Sequence, residues 1–154
     1  MMDTIGGLVA KRKYERPDFL HERCTPEAYY RWLDRKADAH CKRDRKRGNP
    51  AATREAYMIA IHQAVLASNG LDAYTGQPLA WELISTYENN ASRLGKRDYK
   101  KQFAQLPTVD HVGDGRGKPQ FRICSWQTND AKSDLSEEEF LELCRAVVRH
   151  HTRV

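Results

Sequence analysis

Five residues in the segment LPTVDHVGDGRGKPQFRICSWQTNDAKSD, residues 106–134, have side chains suited to hydrolytic chemistry. Asp110 and His111 are adjacent, Gln120 follows a glycine-rich loop, and Asn129 and Lys132 stand three apart behind it. Cutting a phosphodiester requires an activated water, neutralised charge on the phosphate, and help for the leaving oxygen. An imidazole titrates near neutral pH and can take the proton of a water, so His111 is the candidate general base. A carboxylate from Asp110 and an amide oxygen from Asn129 make a hard, all-oxygen pair, suited to Mg²⁺ or Mn²⁺ rather than zinc. Such an ion acts as a Lewis acid at the leaving oxygen. Lys132, Arg122, Arg116 and Lys118 are candidate phosphate contacts. Taken singly, His111 also reads as a polar strand-end residue, Asp110 as a turn acceptor and Asn129 as a helix cap.

The elements that must position these groups follow from periodicity. Thr108–Val112 and Phe121–Trp126 alternate like half-buried strands, joined by the turn GDGRGKP, which predicts a hairpin. A helix is expected from about Thr128. Ser136-Glu137-Glu138-Glu139 is a capping box opening a last helix, with Phe140, Leu143, Cys144, Val147 and Val148 as its expected core stripe. Side chains alternate along a strand, so Asp110 and His111 point to opposite faces.

The hairpin, loop and following helix resemble the HNH (ββα-metal) nuclease family. There a β-hairpin backed by a helix clamps one metal. The likeness is to members in which Asp-His ends the first strand and N-x-x-K sits on the helix. The HNH domain of RNA-guided CRISPR nucleases has a similar helix segment ending in Lys-Ser-Asp, here Lys132-Ser133-Asp134. The resemblance covers residues 106–134, with AYTG at 73–76 a faint upstream echo. It implies that Asp110 and His111 converge on one phosphate, and that Asp110 and Asn129 hold the metal. The family's middle Asn corresponds to Gln120, which would brace the loop carrying His111. The zinc-knuckle cysteines of many relatives are absent.

The rest of the chain reads as helical. Residues 1–24 lack periodicity, and KRKYER reads as a basic arm. Thr25-Pro26-Glu27 is a helix start. Tyr29, Trp32, Leu33, Lys36 and His40 form a stripe that runs into CKRDRKRG and stops at Gly48-Asn49-Pro50. A second helix, Thr53 to Ser68, has Ala56, Tyr57, Ala60, Ile61, Ala64 and Val65 on one face; His62, just off it, reads as structural. The two helices are expected to pair antiparallel. Thr75-Gly76 marks a turn, helix resumes from Trp81 to Leu94, and KRDYKKQFAQL is expected as a short basic helix. The expected class is α+β and mostly helical, a ββα-metal core with an N-terminal helical pair. The expected division is an arm and helical pair over 1–69 and a nuclease region over 70–154, as one compact unit.

Charge and cysteines bound the partners. The net charge is +5, and between Lys11 and Arg47 there are 13 basic against 7 acidic residues. Such a field favours a polyanion through phosphate neutralisation and counterion release, with Lys42, Arg43, Lys46 and Arg47 as the main contacts. The bland alternative is a solvated helix face. The four cysteines contain no CxxC pair, and no stretch reads as a signal peptide or membrane span, so reduced thiols in a cytoplasmic protein are expected. A zinc site from His21, Cys24, His40 and Cys41 is disfavoured, because adjacent residues on a helix point about 100° apart. The expected activity is metal-dependent cleavage of double-stranded DNA. The alternatives are a non-catalytic, basic nucleic-acid-binding protein of the same fold and, more weakly, a protein-interaction adaptor.

Overall fold

The computed structural model describes residues 13–86 and 101–152. The architecture is α+β and mainly helical, with a single two-stranded antiparallel sheet among the described residues. Helix α1 spans Pro26–Lys46. Thr25 caps it by accepting from Ala28 N at 3.1 Å, Pro26 fills the first position, and Glu27 complements the dipole. Helix α2, Arg54–Ser68, is capped by Thr53 and ends at Asn69, which adopts φ +50°, followed by Gly70 at φ +83°. The helices meet near their connecting turn through Tyr57 and Asp44, and at the far end through Tyr29 Oη and His62 Nδ1 at 2.7 Å. Contacts in that order make an antiparallel pair.

The hairpin forms where the apolar alternation places it. Strand β1, Pro107–His111, pairs with β2, Phe121–Ser125, in a register that sets Val109 opposite Ile123, Asp110 opposite Arg122 and His111 opposite Phe121. Val109, Phe121 and Ile123 join the buried cluster built on Tyr29, Trp32, Leu33, Tyr57, Ile61 and Trp81. One core therefore takes residues from both the helical pair and the hairpin region. Helix α3, Trp126–Lys132, begins two residues earlier than the periodicity suggests. Its cap is Ser125, whose Oγ accepts from Thr128 N at 3.0 Å. Asn129 is thus the fourth residue of α3, not its cap.

Three further expectations change. Residues 13–24 are packed on the core rather than free as an arm: Tyr14 and Leu20 are buried, and Arg16 ties the segment by donating to the carbonyls of His21 and Cys24. Residues 1–12 lie outside the described residues. Trp81–Leu83 is a single 3₁₀ turn instead of the start of a long helix; Trp81 anchors it in the core, donating to Gly70 O at 3.2 Å. The expected continuation to Leu94 and the stretch 96–100 lie outside the described residues, and from Phe103 the chain turns towards β1. Helix α4, Glu137–His151, carries the expected capping box but buries none of its residues, so its apolar stripe is not part of the core. Among the described residues, no helix is long and apolar enough to cross a membrane.

Candidate active site

Alternation along β1 sends Asp110 and His111 to opposite faces, and different elements meet each. On the α1 face, His111 Nε2 lies 2.8 Å from Asp44 Oδ2, and Nδ1 lies 3.1 Å from Arg43 Nη2. Arginine only donates and the carboxylate only accepts, so the partners assign the ring as Nε2–H with the Nδ1 lone pair facing Arg43. Asp44 is itself buried and accepts from Tyr57 Oη. Burial pushes its carboxyl up, but the Tyr57 and His111 hydrogen bonds outweigh that, so it titrates below the ordinary range. The His40 ring packs against His111 at a tilt of 57°, ring centres 4.7 Å apart, and Arg43 also reaches its Nδ1. Burial first, then the Arg43 charge, push His40 down to about 3, so this second imidazole stays neutral.

On the opposite face, Asp110 is buried and accepts from Tyr74 Oη at 2.5 Å. Lys132 Nζ lies 3.2 Å from Oδ2 and 3.5 Å from Oδ1, so Oδ1 is the less engaged oxygen. Desolvation by burial and then the Asp110 hydrogen bond push the Tyr74 phenol up, so it acts as a donor. Asn129 is half-buried beside them; Ser133 N donates to its backbone carbonyl at 2.9 Å. Its side-chain amide has no hydrogen-bond partner among the described residues.

Asp72 locks this arrangement. Its Oδ2 accepts from Ser125 N at 2.9 Å and Thr128 Oγ1 at 2.8 Å, and its Oδ1 from Tyr74 N at 2.8 Å and Thr75 N at 3.2 Å. One buried carboxylate thus fixes the AYTG turn to the junction of β2 and α3. Burial pushes it up, yet these donors hold its pKa below the ordinary value.

Between β1 and β2, the loop is tied from the α1–α2 connection. Asn49 Nδ2 donates to Gly115 O at 2.9 Å and to Gly117 O at 3.2 Å. Gly115 has φ +74°, and a Cβ there would come within 3.2 Å of Asp44 Oδ1. Gln120 is exposed and contributes its backbone carbonyl, which accepts from Val112 N at 2.9 Å. Asn49 supplies the amide that braces the loop, the role expected of Gln120, which lies exposed just ahead of β2.

His111, Asp110, Asn129 and Lys132 all line one cleft of about 740 Å³. Arg43 and Arg47 of the basic run line it too, one turn apart on α1, while Lys42 and Lys46 do not. Lys42 instead pairs with Asp38 at 2.9 Å on the exposed side of the helix. Arg122 is drawn away from a substrate role by its ion pair with Glu137 and its position over the Tyr74 ring. Lys132 is buried against Asp110, so it neutralises a carboxylate rather than standing free. Arg116 and Lys118 are exposed on the loop, off the cleft wall. The outer wall is acidic, with Asp114, Asp130, Asp134, Glu137 and Glu139.

No group of three or more His, Cys, Asp or Glu is placed to hold a metal among the described residues. Of the four residues of the disfavoured zinc set, His21 faces Arg16, and Cys41 Sγ donates to Ala52 O. Asp44, Asp72, Tyr74 and Asn49 are site residues that sequence patterns did not single out. Two of them carried a signal. Asp44 continues the buried stripe at four residues beyond His40, and Asp72 precedes a Thr-Gly turn in the manner of an Asx turn. No family model, curated protein or solved structure matches this chain.

Proposed function

We propose that the chain is a metal-dependent endonuclease of the HNH (ββα-metal) kind, hydrolysing phosphodiesters in double-stranded DNA. The observation that carries this reading is the shared cleft: an oriented imidazole, a buried carboxylate, an amide without a partner among the described residues and two arginines line one opening. The hairpin followed by α3 supports the ββα core.

In this reading, Asp44 holds the His111 ring through Nε2–H, and the Nδ1 lone pair takes the proton of the attacking water. Arg43 shields that lone pair in the free protein and moves to a phosphate oxygen when substrate enters. Arg47, one turn along α1, is the second phosphate contact. Asp110 and Asn129 are the residues that would hold a divalent ion, and their donor set fits one. Mg²⁺ is commonly held by one or two protein carboxylates, completed by water and substrate oxygens. Asp110 Oδ1 is only loosely engaged, and the Asn129 amide oxygen is free among the described residues. A fully protein-built zinc site does not fit the same residues. When bound, the ion supplies Lewis-acid stabilisation of the leaving oxygen. Tyr74 and Lys132 hold the Asp110 carboxylate in place through the hydrogen bond and the ion pair they make with it.

A second reading, a nucleic-acid-binding protein without catalysis, is supported by one observation: both ring nitrogens of His111 are already engaged. A supercoiled-plasmid assay separates the two. The nuclease reading expects nicked or linear product with Mg²⁺ or Mn²⁺, none with EDTA, and loss of product in His111→Ala. DNA retardation without cleavage in either metal would reject it in favour of the second.

A further inference from the structure

Among the described residues, the backbone takes a positive φ at six glycines and at two other residues, Asn69 and Ser133. Asn69, at φ +50° and ψ +30°, ends α2 in the left-handed helical region that asparagine tolerates. Ser133 is a different case, at φ +52° and ψ −129° directly after α3. Those angles belong to the first central position of a type II′ turn over residues 132–135, closed by Leu135 N donating to Lys132 O at 3.1 Å. Glycine is the residue such a position calls for, because a Cβ is crowded there. The serine side chain does little locally to offset that strain. Its Oγ reaches Asp134 Oδ1 at 3.4 Å, long for a hydroxyl donor. Two backbone hydrogen bonds hold the turn regardless, the second from Ser133 N to Asn129 O at 2.9 Å.

Strain that its surroundings enforce, at an exposed side chain lining the cleft, points to a use for that side chain. The cleft says which use. Arg43 and Arg47 stand on one wall, whereas Asp130, Asp134, Glu137 and Glu139 line the wall to which Ser133 belongs. Ionised carboxylates accept hydrogen bonds and cannot donate them. A phosphodiester strand held by the two arginines therefore needs a donor on the acidic side. We propose that Ser133 is a nucleic-acid contact whose hydroxyl leaves Asp134 and donates to a phosphate oxygen of the bound strand. The strained turn sets that hydroxyl in the cleft, and a glycine there would relieve the strain and lose the contact. The proposal rests on nucleic-acid binding, which both readings above share, and not on cleavage.

Fluorescence anisotropy of a labelled DNA duplex with the full chain, in EDTA so that nothing is cut, tests the contact alongside thermal melts. Ser133→Gly should raise Tm by about 2–4 °C and yet weaken binding about threefold to tenfold. Ser133→Ala keeps the strain, so its Tm should stay near the parent's while binding weakens by the same factor. Neither variant should change the slope of log affinity against log salt, because a hydroxyl releases no counterion, whereas Arg43→Ala should reduce it. Binding as tight as the parent's in either variant overturns the contact, and so does a salt slope changed by Ser133→Ala. A lower Tm in Ser133→Gly overturns the strain argument, and a parent that binds no duplex overturns the whole proposal. A parent that binds duplex but cuts no plasmid with either metal, with both variants binding as expected, supports the contact and rejects the nuclease reading.

Discussion

His111 and Asp44 meet at 2.8 Å between Nε2 and Oδ2, although 67 residues separate them in sequence. The hydrogen bonds that orient the candidate base therefore come from α1 and not from its own hairpin. If His111 takes a proton in the reaction, Asp44→Asn weakens that orientation while leaving the cleft's donors in place. The expected loss in kcat is about tenfold to a hundredfold, a share of the 10²–10⁴ that a positioned base is worth. KM and metal dependence should hold. His111→Ala should lose the full amount with metal and DNA binding intact; single-turnover cleavage and a retardation assay check both, and equal rates in parent and His111→Ala would remove His111 from the mechanism.

The basic run divides by face. Arg43 and Arg47 line the cleft, whereas Lys42 points out and pairs with Asp38. Replacing either arginine with Ala should slow cleavage and reduce the salt slope of DNA binding by about 0.9 per lost phosphate contact. Lys42→Ala should leave the rate unchanged. A cleavage loss from Lys42→Ala equal to that from Arg43→Ala would show that the run acts as an undivided charge field.

In the nuclease reading, Lys132 and an incoming cation would compete for one carboxylate. Lys132 Nζ sits 3.2 Å from Asp110 Oδ2, with both groups buried. Lys132→Met leaves Asp110 without its counter-charge, which should destabilise the metal-free protein by about 3 kcal/mol, the usual penalty for breaking a buried pair. Mn²⁺ should then raise the melting temperature of Lys132→Met more than that of the parent, and should not raise that of Asp110→Asn. Identical Mn²⁺ shifts in all three would mean the ion does not bind at Asp110.

The hairpin and the two long N-terminal helices were legible because burial sets their period: Val109, Phe121 and Ile123 alternate, and Tyr29, Trp32, Leu33 and His40 recur at helical spacing. Thr25, Thr53 and Ser136 were readable as caps for the same local reason. Contacts across the sequence were not legible. Nothing near His111 announces that Asp44 will meet it, since that depends on how α1 crosses the hairpin. The apolar stripe of α4 stays out of the core, because an amphipathic pattern says that a face needs covering but not what covers it. Trp81 starts like a helix, yet its indole is held by Gly70 O, and that tertiary contact limits the turn.

Buried His40 sets a pH dependence that needs no catalytic assumption. Its pKa falls from 6.5 to about 3 in the fold, chiefly through burial and then the Arg43 charge. The unfolded chain therefore binds more protons between those values. Stability is unaffected by this group above 6.5 and is lost as pH falls below it. The loss attributable to His40 should be about 2 kcal/mol between pH 7 and pH 5. Urea titrations at the two pH values measure it, and His40→Gln, which keeps an acceptor for Arg43, should flatten the difference. An equally steep fall in His40→Gln would assign the effect to other groups.

Asn49 and Gln120 offer opposite predictions for the loop. Asn49 is buried and donates to both Gly115 O and Gly117 O, while Gln120 is exposed. Asn49→Ala removes two hydrogen bonds that hold the loop against the α1–α2 connection. Each is worth about 0.5–1.5 kcal/mol, so a loss of about 1–3 kcal/mol in stability is expected. Gly115 lies against Asp44, so loosening the loop also opens the wall beside the His111–Asp44 pair. Amide hydrogen exchange should accelerate at Gly113–Gly117 in Asn49→Ala, and cleavage should fall along with it. Gln120→Ala should leave exchange, stability and rate near those of the parent, because only its backbone is engaged. The reverse ranking, with Gln120→Ala the more damaging, would return the bracing role to the hairpin itself and leave Asn49 as a turn residue.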